Sequence, residues 1–190
     1  MNKVKKILCM VLITMMTMIM VIGCGKTEEE KMSEKYSDAK EVTLVNEKTK
    51  AKVYLPKKDV MNNDNSIMLV KANGDIVSDK SLKVLNKYDI SQVGLTYKNN
   101  DILQYQLING TYTKKSLSEL GEAKTFTINE QKYAYVVVKN EQRYTAYVSI
   151  KGDKEHSVLL IFESFDKITV NKLKGFTERV LFLGTETNKK

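Results

Sequence analysis

KYAYVVVK (132–139), RYTAYVSIK (143–151) and HSVLLIFES (156–164) are three runs rich in β-branched and aromatic residues, separated by Asn140-Glu141-Gln142 and by Gly152-Asp153-Lys154-Glu155. Just upstream, Phe126 and Ile128 alternate with Thr125, Thr127 and Asn129. Four such runs with short polar breaks predict an antiparallel meander. In the middle run Tyr144, Ala146, Val148 and Ile150 share one face, and Arg143, Thr145, Tyr147, Ser149 and Lys151 share the other. Matching the apolar faces predicts that Ala134, Val136 and Val138 turn inward across a three-residue loop at 140–142. That register sets Val136 opposite Ala146 and Tyr135 opposite Tyr147; a slip by one would bury Arg143 and Thr145 among the valines. HSVLLIFES is apolar on both faces, with Val158, Leu160 and Phe162 on one and Leu159 and Ile161 on the other. Cover is therefore expected on each side of the sheet.

Beyond Phe165 the period changes. Val170, Leu173, Phe176, Thr177, Val180 and Leu183 recur at three- and four-residue steps, which predicts a long C-terminal helix over about 167–183. Asp166 is placed to cap it, Phe165 and Val170 to staple its entry, and Gly184 to stop it. Gly175, in mid-helix, costs about 1 kcal/mol against alanine and reads either as tolerated local weakness or, the reading preferred, as a close approach of helix to sheet.

Upstream, VTLVN (42–46) and AKVYLP (51–56) form a first hairpin around Lys48-Thr49, ended by Pro56, the lone proline. Residues 59–65 read as a loop: NNDNS (62–66) faintly suggests a calcium site, but Ile67 stands where the turn glycine belongs. SIMLVKA (66–72) is a strand broken by Asn73-Gly74-Asp75, and Ser78 or Asp79 caps a short helix through Leu82, Leu85 and Tyr88. QVGLTY (92–97) and ILQYQLI (102–108) flank Lys98-Asn99-Asn100-Asp101 as a second hairpin. Ser116 and Glu119 have capping-box spacing for a short helix within 113–120. The fold class expected is α+β, a mostly antiparallel sheet with a C-terminal meander, flanked by helices.

The chain opens with MNKVKKILCMVLITMMTMIMVIGCGK. Lys3, Lys5 and Lys6 form a positive start, and Ile7 to Ile22 is an uncharged apolar core of 16 residues, short for a span and suited to a secretory signal. Val21-Ile22-Gly23-Cys24 resembles the lipobox of bacterial lipoproteins. The resemblance implies diacylglyceryl transfer to the Cys24 thiol, cleavage before it, and an extracytoplasmic protein held to the cell membrane by lipid. Acyl chains contribute about 0.8 kcal/mol per buried methylene. The domain plan is a signal peptide (1–23), a polar tether (24–41), one α+β domain (42–184) and a short tail (185–190). Element order and length over 42–184 also resemble the PsbP-like domains of photosystem II extrinsic proteins and many small bacterial lipoproteins, which implies a helix/sheet/helix sandwich; no functional residue carries over.

Loss of residues 1–23 takes three lysines with it and lowers the formal charge from +8 to +5. The basic residues are scattered, and an exported chain argues against nucleic acid as a partner. Cys24 is then the last cysteine, so no intrachain disulfide supports the domain. No nucleophile elbow, zinc motif, phosphate-cradling loop or Cys/His metal pattern is present, and no cofactor is implied. His156, the sole histidine, reads as a solvent-facing residue at a strand edge, and Ser157 beside it points to the opposite face.

Ten tyrosines without tryptophan are the compositional oddity. They serve either as packing residues or, at Tyr135 and Tyr147 rimmed by Lys139 and Arg143, as an aromatic binding surface for a sugar ring or peptide. Two functions follow: a non-catalytic binding or accessory lipoprotein contacting a protein, wall polymer or small ligand, or a lipid-anchored hydrolase working through carboxylates such as Asp153, Glu155 and Glu163. For the anchor, Cys24→Ala is expected to block processing and abolish acyl labelling; normal labelling of that variant would exclude Cys24 as the lipid site.

Overall fold

The computed structural model describes residues 26–61, 66–78, 88–152 and 155–185. The signal segment with Cys24, residues 62–65 of the loop expected at 59–65, residues 79–87 of the helix expected there and the tail beyond Thr185 lie outside the described residues. Among those described, no helix is long and apolar enough to cross a membrane. The chain separates into two compact units, residues 1–35 and 36–190.

In the first unit the tether carries one helix, α1 (Glu28–Lys35), with no buried residue. Its sequence caps itself. The Thr27 hydroxyl accepts the Glu30 N–H at 3.1 Å, and the Glu30 carboxylate accepts the Thr27 N–H at 2.8 Å. Three glutamates in the first turn and Lys35 in the last suit the helix dipole.

The second unit is mostly β. Its elements run β1 (Lys40–Asn46), β2 (Thr49–Leu55), β3 (Ile67–Lys71), β4 (Ile76–Ser78), β5 (Ile90–Thr96), β6 (Ile102–Asn109), α2 (Lys114–Leu117), β7 (Lys124–Ile128), β8 (Gln131–Asn140), β9 (Arg143–Lys151), β10 (His156–Ser164), α3 (Val170–Thr177) and β11 (Val180–Thr185). They form a single sheet in the order β11-β2-β1-β5-β6-β10-β9-β8-β7, with β3 paired to β5 and β4 to β3. The β7–β10 meander and the hairpins β1–β2 and β5–β6 form as expected. One parallel match, Leu44 with Ile90, joins the two halves. The sheet curls, because inner residues from its far ends meet: Val42 and Val53 share one core with Phe126 and Tyr135. β10, at the middle, is buried on both faces as its sequence requires.

The central hairpin differs from expectation by one residue. Asn140 pairs with Arg143, leaving Glu141, at φ 46°, and Gln142 as a two-residue turn. Tyr135 therefore faces Val148, Val136 faces Tyr147, and Val137 faces Ala146. β8 is apolar on both faces, so alternation alone does not choose between them. Volume does: the rings of Tyr133 and Tyr135 fill the deep concave side, 5.6 and 5.5 Å from the Phe126 centroid. The smaller Ala134, Val136 and Val138 meet Leu117 and Ala123 under the single turn of α2, whose N-cap is Thr113.

The long C-terminal helix does not form. α3 has eight residues; Thr169, not Asp166, caps it, accepting the Lys172 N–H, and it ends at Glu178. Val180 to Thr185 then pair with β2 as β11, with a register shift between Phe182 and Gly184. Val180-Leu181-Phe182-Leu183 is a continuous apolar run of strand-forming residues, and the open edge of β2 offers it backbone partners that a helix would leave unused. The closing long helix of the PsbP-like pattern is thus replaced by two helical turns and a strand.

β11 brings Phe182 against the end of β9. A Cβ added at Gly152 would overlap the edge of the Phe182 ring, so a side chain there forces the ring to shift. Beside it, His156 Nδ1 lies 3.0 Å from the Thr49 hydroxyl, and both residues are buried. His156 is therefore not solvent-facing: a hydrogen bond to the first hairpin draws it inward. Gly152→Ala is expected to lower unfolding free energy by about 1–3 kcal/mol. In a Phe182→Ala background the same change should cost little, a non-additivity that a denaturation cycle measures.

Candidate functional site

A concavity of about 700 Å³ opens where α3, the segment after β2 and the β5–β6 turn converge. That is within the size range of small-ligand sites. Its position follows from local backbone bonds. Pro56 ends β2, Asp59 adopts φ 62°, and the Met61 and Lys98 N–H groups donate to the carbonyls of Thr96 and Asp59 at 2.9 and 2.8 Å. The β5–β6 turn closes on itself through Tyr97 N–H to the Asp101 carbonyl and Asn100 N–H to the Tyr97 carbonyl.

The floor is aromatic. Phe162 from β10 and Phe176 from α3 stand 5.1 Å apart by ring centroids, and the Tyr105 hydroxyl donates to the Phe176 carbonyl at 2.9 Å. Above them Lys172 spans two partners, with its Nζ 2.9 Å from Asp101 Oδ2 and 4.4 Å from the Phe162 ring centroid. Arg179, in the bend between α3 and β11, donates to the Tyr54 carbonyl at 3.1 Å and lies 4.5 Å over the Tyr36 ring. Lys58 and Lys98 complete the cationic wall.

Two groups there have altered acidity. Burial pushes the Tyr97 phenol well above its ordinary range, against the opposing pull of Arg179, so it stays protonated. Its hydroxyl is buried with no hydrogen-bond partner among the described residues. Asp101, 3% exposed, is raised by burial, yet hydrogen bonds from Lys172, Ser164 and Asn99 outweigh this and hold its carboxyl below the ordinary 3.8. An ionised carboxylate tied to a lysine is neither a general acid nor a free nucleophile. The arrangement can bind and orient; among the described residues no group of three or more His, Cys, Asp or Glu side chains is placed to hold a metal ion.

The aromatic surface read from the sequence is divided. Tyr135 is 8% exposed and faces the concave core, whereas Tyr147 packs on the back face beside Val136 and Leu117. Lys139 follows Tyr135, its Nζ 5.4 Å from the Tyr144 ring centroid; both line a smaller cavity of about 340 Å³ with Lys124 and Lys167. Arg143 stacks 4.2 Å from the Phe165 centroid and lies 3.7 Å from Glu163. The structure joins Tyr135 to Lys139 but not to Tyr147. Of the carboxylates, Glu155 and Glu163 lie near opposite ends of the nine-residue β10 and do not meet, and Asp153 lies outside the described residues.

Sequence reasoning saw Lys98 to Asp101 only as a turn, and Lys58, Lys172 and Arg179 as scattered charge. The one signal was Gly175, a helix-weakening residue. It lines the cleft, and a Cβ there would meet nothing within 4 Å, so close packing against the sheet is not its role. No known protein family, curated protein or solved structure matches the chain.

The Asp101–Lys172 pair makes a pH prediction. Because the folded carboxyl titrates below its unfolded value, its stabilisation is present above about pH 4 and is lost as pH falls through the folded pKa. Lys172→Met should cost about 1–2 kcal/mol at neutral pH, the half-exposed lysine discounting the pair. It should also flatten the acid limb of a stability–pH curve below about pH 4; an unchanged limb would mean that the pair does not contribute.

Proposed function

We propose that this chain is a bacterial lipoprotein, anchored on the extracytoplasmic face of the cell membrane through acylated Cys24, whose domain binds a small ligand and does not turn it over. The anchor rests on the ordered charged start, short apolar core and Val21-Ile22-Gly23-Cys24 run, followed at once by the polar tether. The binding role rests on one observation, the cleft of about 700 Å³ with an aromatic floor and a cationic wall. A small molecule suits this concavity better than a flat protein or wall-polymer contact. The tyrosine surface supports neither of those, because its two tyrosines lie back to back.

Membrane anchoring limits where the ligand is met, and affinity in the micromolar range would serve such a module. The decisive variant is Gly175→Leu, which fills the mouth of the cleft from a position with free space around it. Saturation-transfer NMR of the full chain in nanodiscs against a panel of small soluble compounds is expected to give binders. Gly175→Leu should remove their signal while leaving melting cooperative and unlowered. Binders that survive the substitution would place the site elsewhere.

A further inference from the structure

We infer that the cleft takes an amphipathic anion: a phosphate or carboxylate head joined to a flat apolar body. This rests on the reading of the cleft as the binding site and adds the chemistry of its occupant. Charge is the first support. Four cations line the cleft, Lys58, Lys98, Lys172 and Arg179, against two acids, Asp59 and Asp101. Lys172 is matched by Asp101, and Arg179 is engaged by the Tyr54 carbonyl and the Tyr36 ring. Lys58 and Lys98 have no ion-pair partner among the described residues, and both are exposed. The unmatched positive charge therefore sits at the mouth, where an entering anion meets it.

The interior asks for a different surface. Phe176, half-buried, presents ring area to the cleft over the buried ring of Phe162, and Gly175 beside it brings no side chain to the lining. A glycine in mid-helix costs stability; here it keeps the lining open. A simple inorganic anion would use the lysines and leave the rings idle. A neutral apolar molecule would use the rings and leave the lysines idle. One molecule with a charged head and a planar body uses both. Such a head belongs either to a free solute or to an anionic lipid at the membrane surface.

The test uses three probes with one apolar body: naphthyl phosphate, naphthol and naphthylmethylamine, each titrated against the full chain in nanodiscs of zwitterionic lipid. Naphthyl phosphate is expected to bind tightest. Combined Lys58→Glu and Lys98→Glu, both surface changes that spare the core, should weaken it at least about tenfold while leaving naphthol unchanged. Gly175→Leu should abolish binding of both. If naphthol or the amine binds as tightly as the phosphate, is lost in Gly175→Leu and is indifferent to the lysine reversals, the anionic inference is overturned and the cleft reading stands. If no probe shows binding that Gly175→Leu removes, both fall. Adding phosphatidylglycerol to the discs separates the sources. Competition with naphthyl phosphate marks a lipid headgroup, and unchanged affinity marks a free solute; either result keeps the anion.

Discussion

Closure of the curled sheet depends on the seat of Phe182 over Gly152. β11 reaches the first hairpin by pairing with β2, and its ring then bridges to the end of β9 on the far side of the core. The neighbouring hydrogen bond between Thr49 and His156 ties the same two regions. Without that closure the inner faces of β1 and β2 would lie open to water, since the described helices are only one and two turns long in this unit. A curled sheet is its own second layer, and that replaces the covering helices a flat sheet would need.

The closure also positions the cleft. Because β11 starts beside β2, the bend at Glu178-Arg179 must bring α3 down across the end of the sheet, over Phe162 and Tyr105. Arg179 is fixed there on both sides, its own carbonyl accepting the Tyr54 N–H while its guanidinium donates to the Tyr54 carbonyl. The aromatic floor is thus part of the core, and the cations ride on segments that the core holds in place. Such a wall is preorganised, which limits the ordering a ligand must impose.

What the sequence shows and what it hides follow from the same physics. Hairpins with one polar face were legible, because alternation in AKVYL or ILQYQLI leaves a single way to bury the apolar side. β8 was not, since Tyr133, Tyr135 and Val137 compete with Ala134, Val136 and Val138, and only three-dimensional volume decides between them. Val180 to Leu183 satisfies a helical and an extended pattern alike, and the choice is made by an edge strand some 130 residues earlier in the chain. The cleft was nearly invisible. Its charges come from four separated stretches, and only the misplaced glycine at 175 marked the helix that carries one wall.

The pairing of β11 with β2 joins nearly the first strand of the domain to its last. Contacts of such long sequence separation are slow to form, because the intervening chain must be ordered before they can hold. Until residues 180–185 arrive, β2 presents a bare edge and the concave face has no lid. Assembly is therefore all-or-none with respect to the C-terminus: a nascent chain short of its last strand has the meander but no sealed interior. The cleft, whose wall includes Arg179, is complete only once that final strand docks, so its full lining is a property of finished molecules alone.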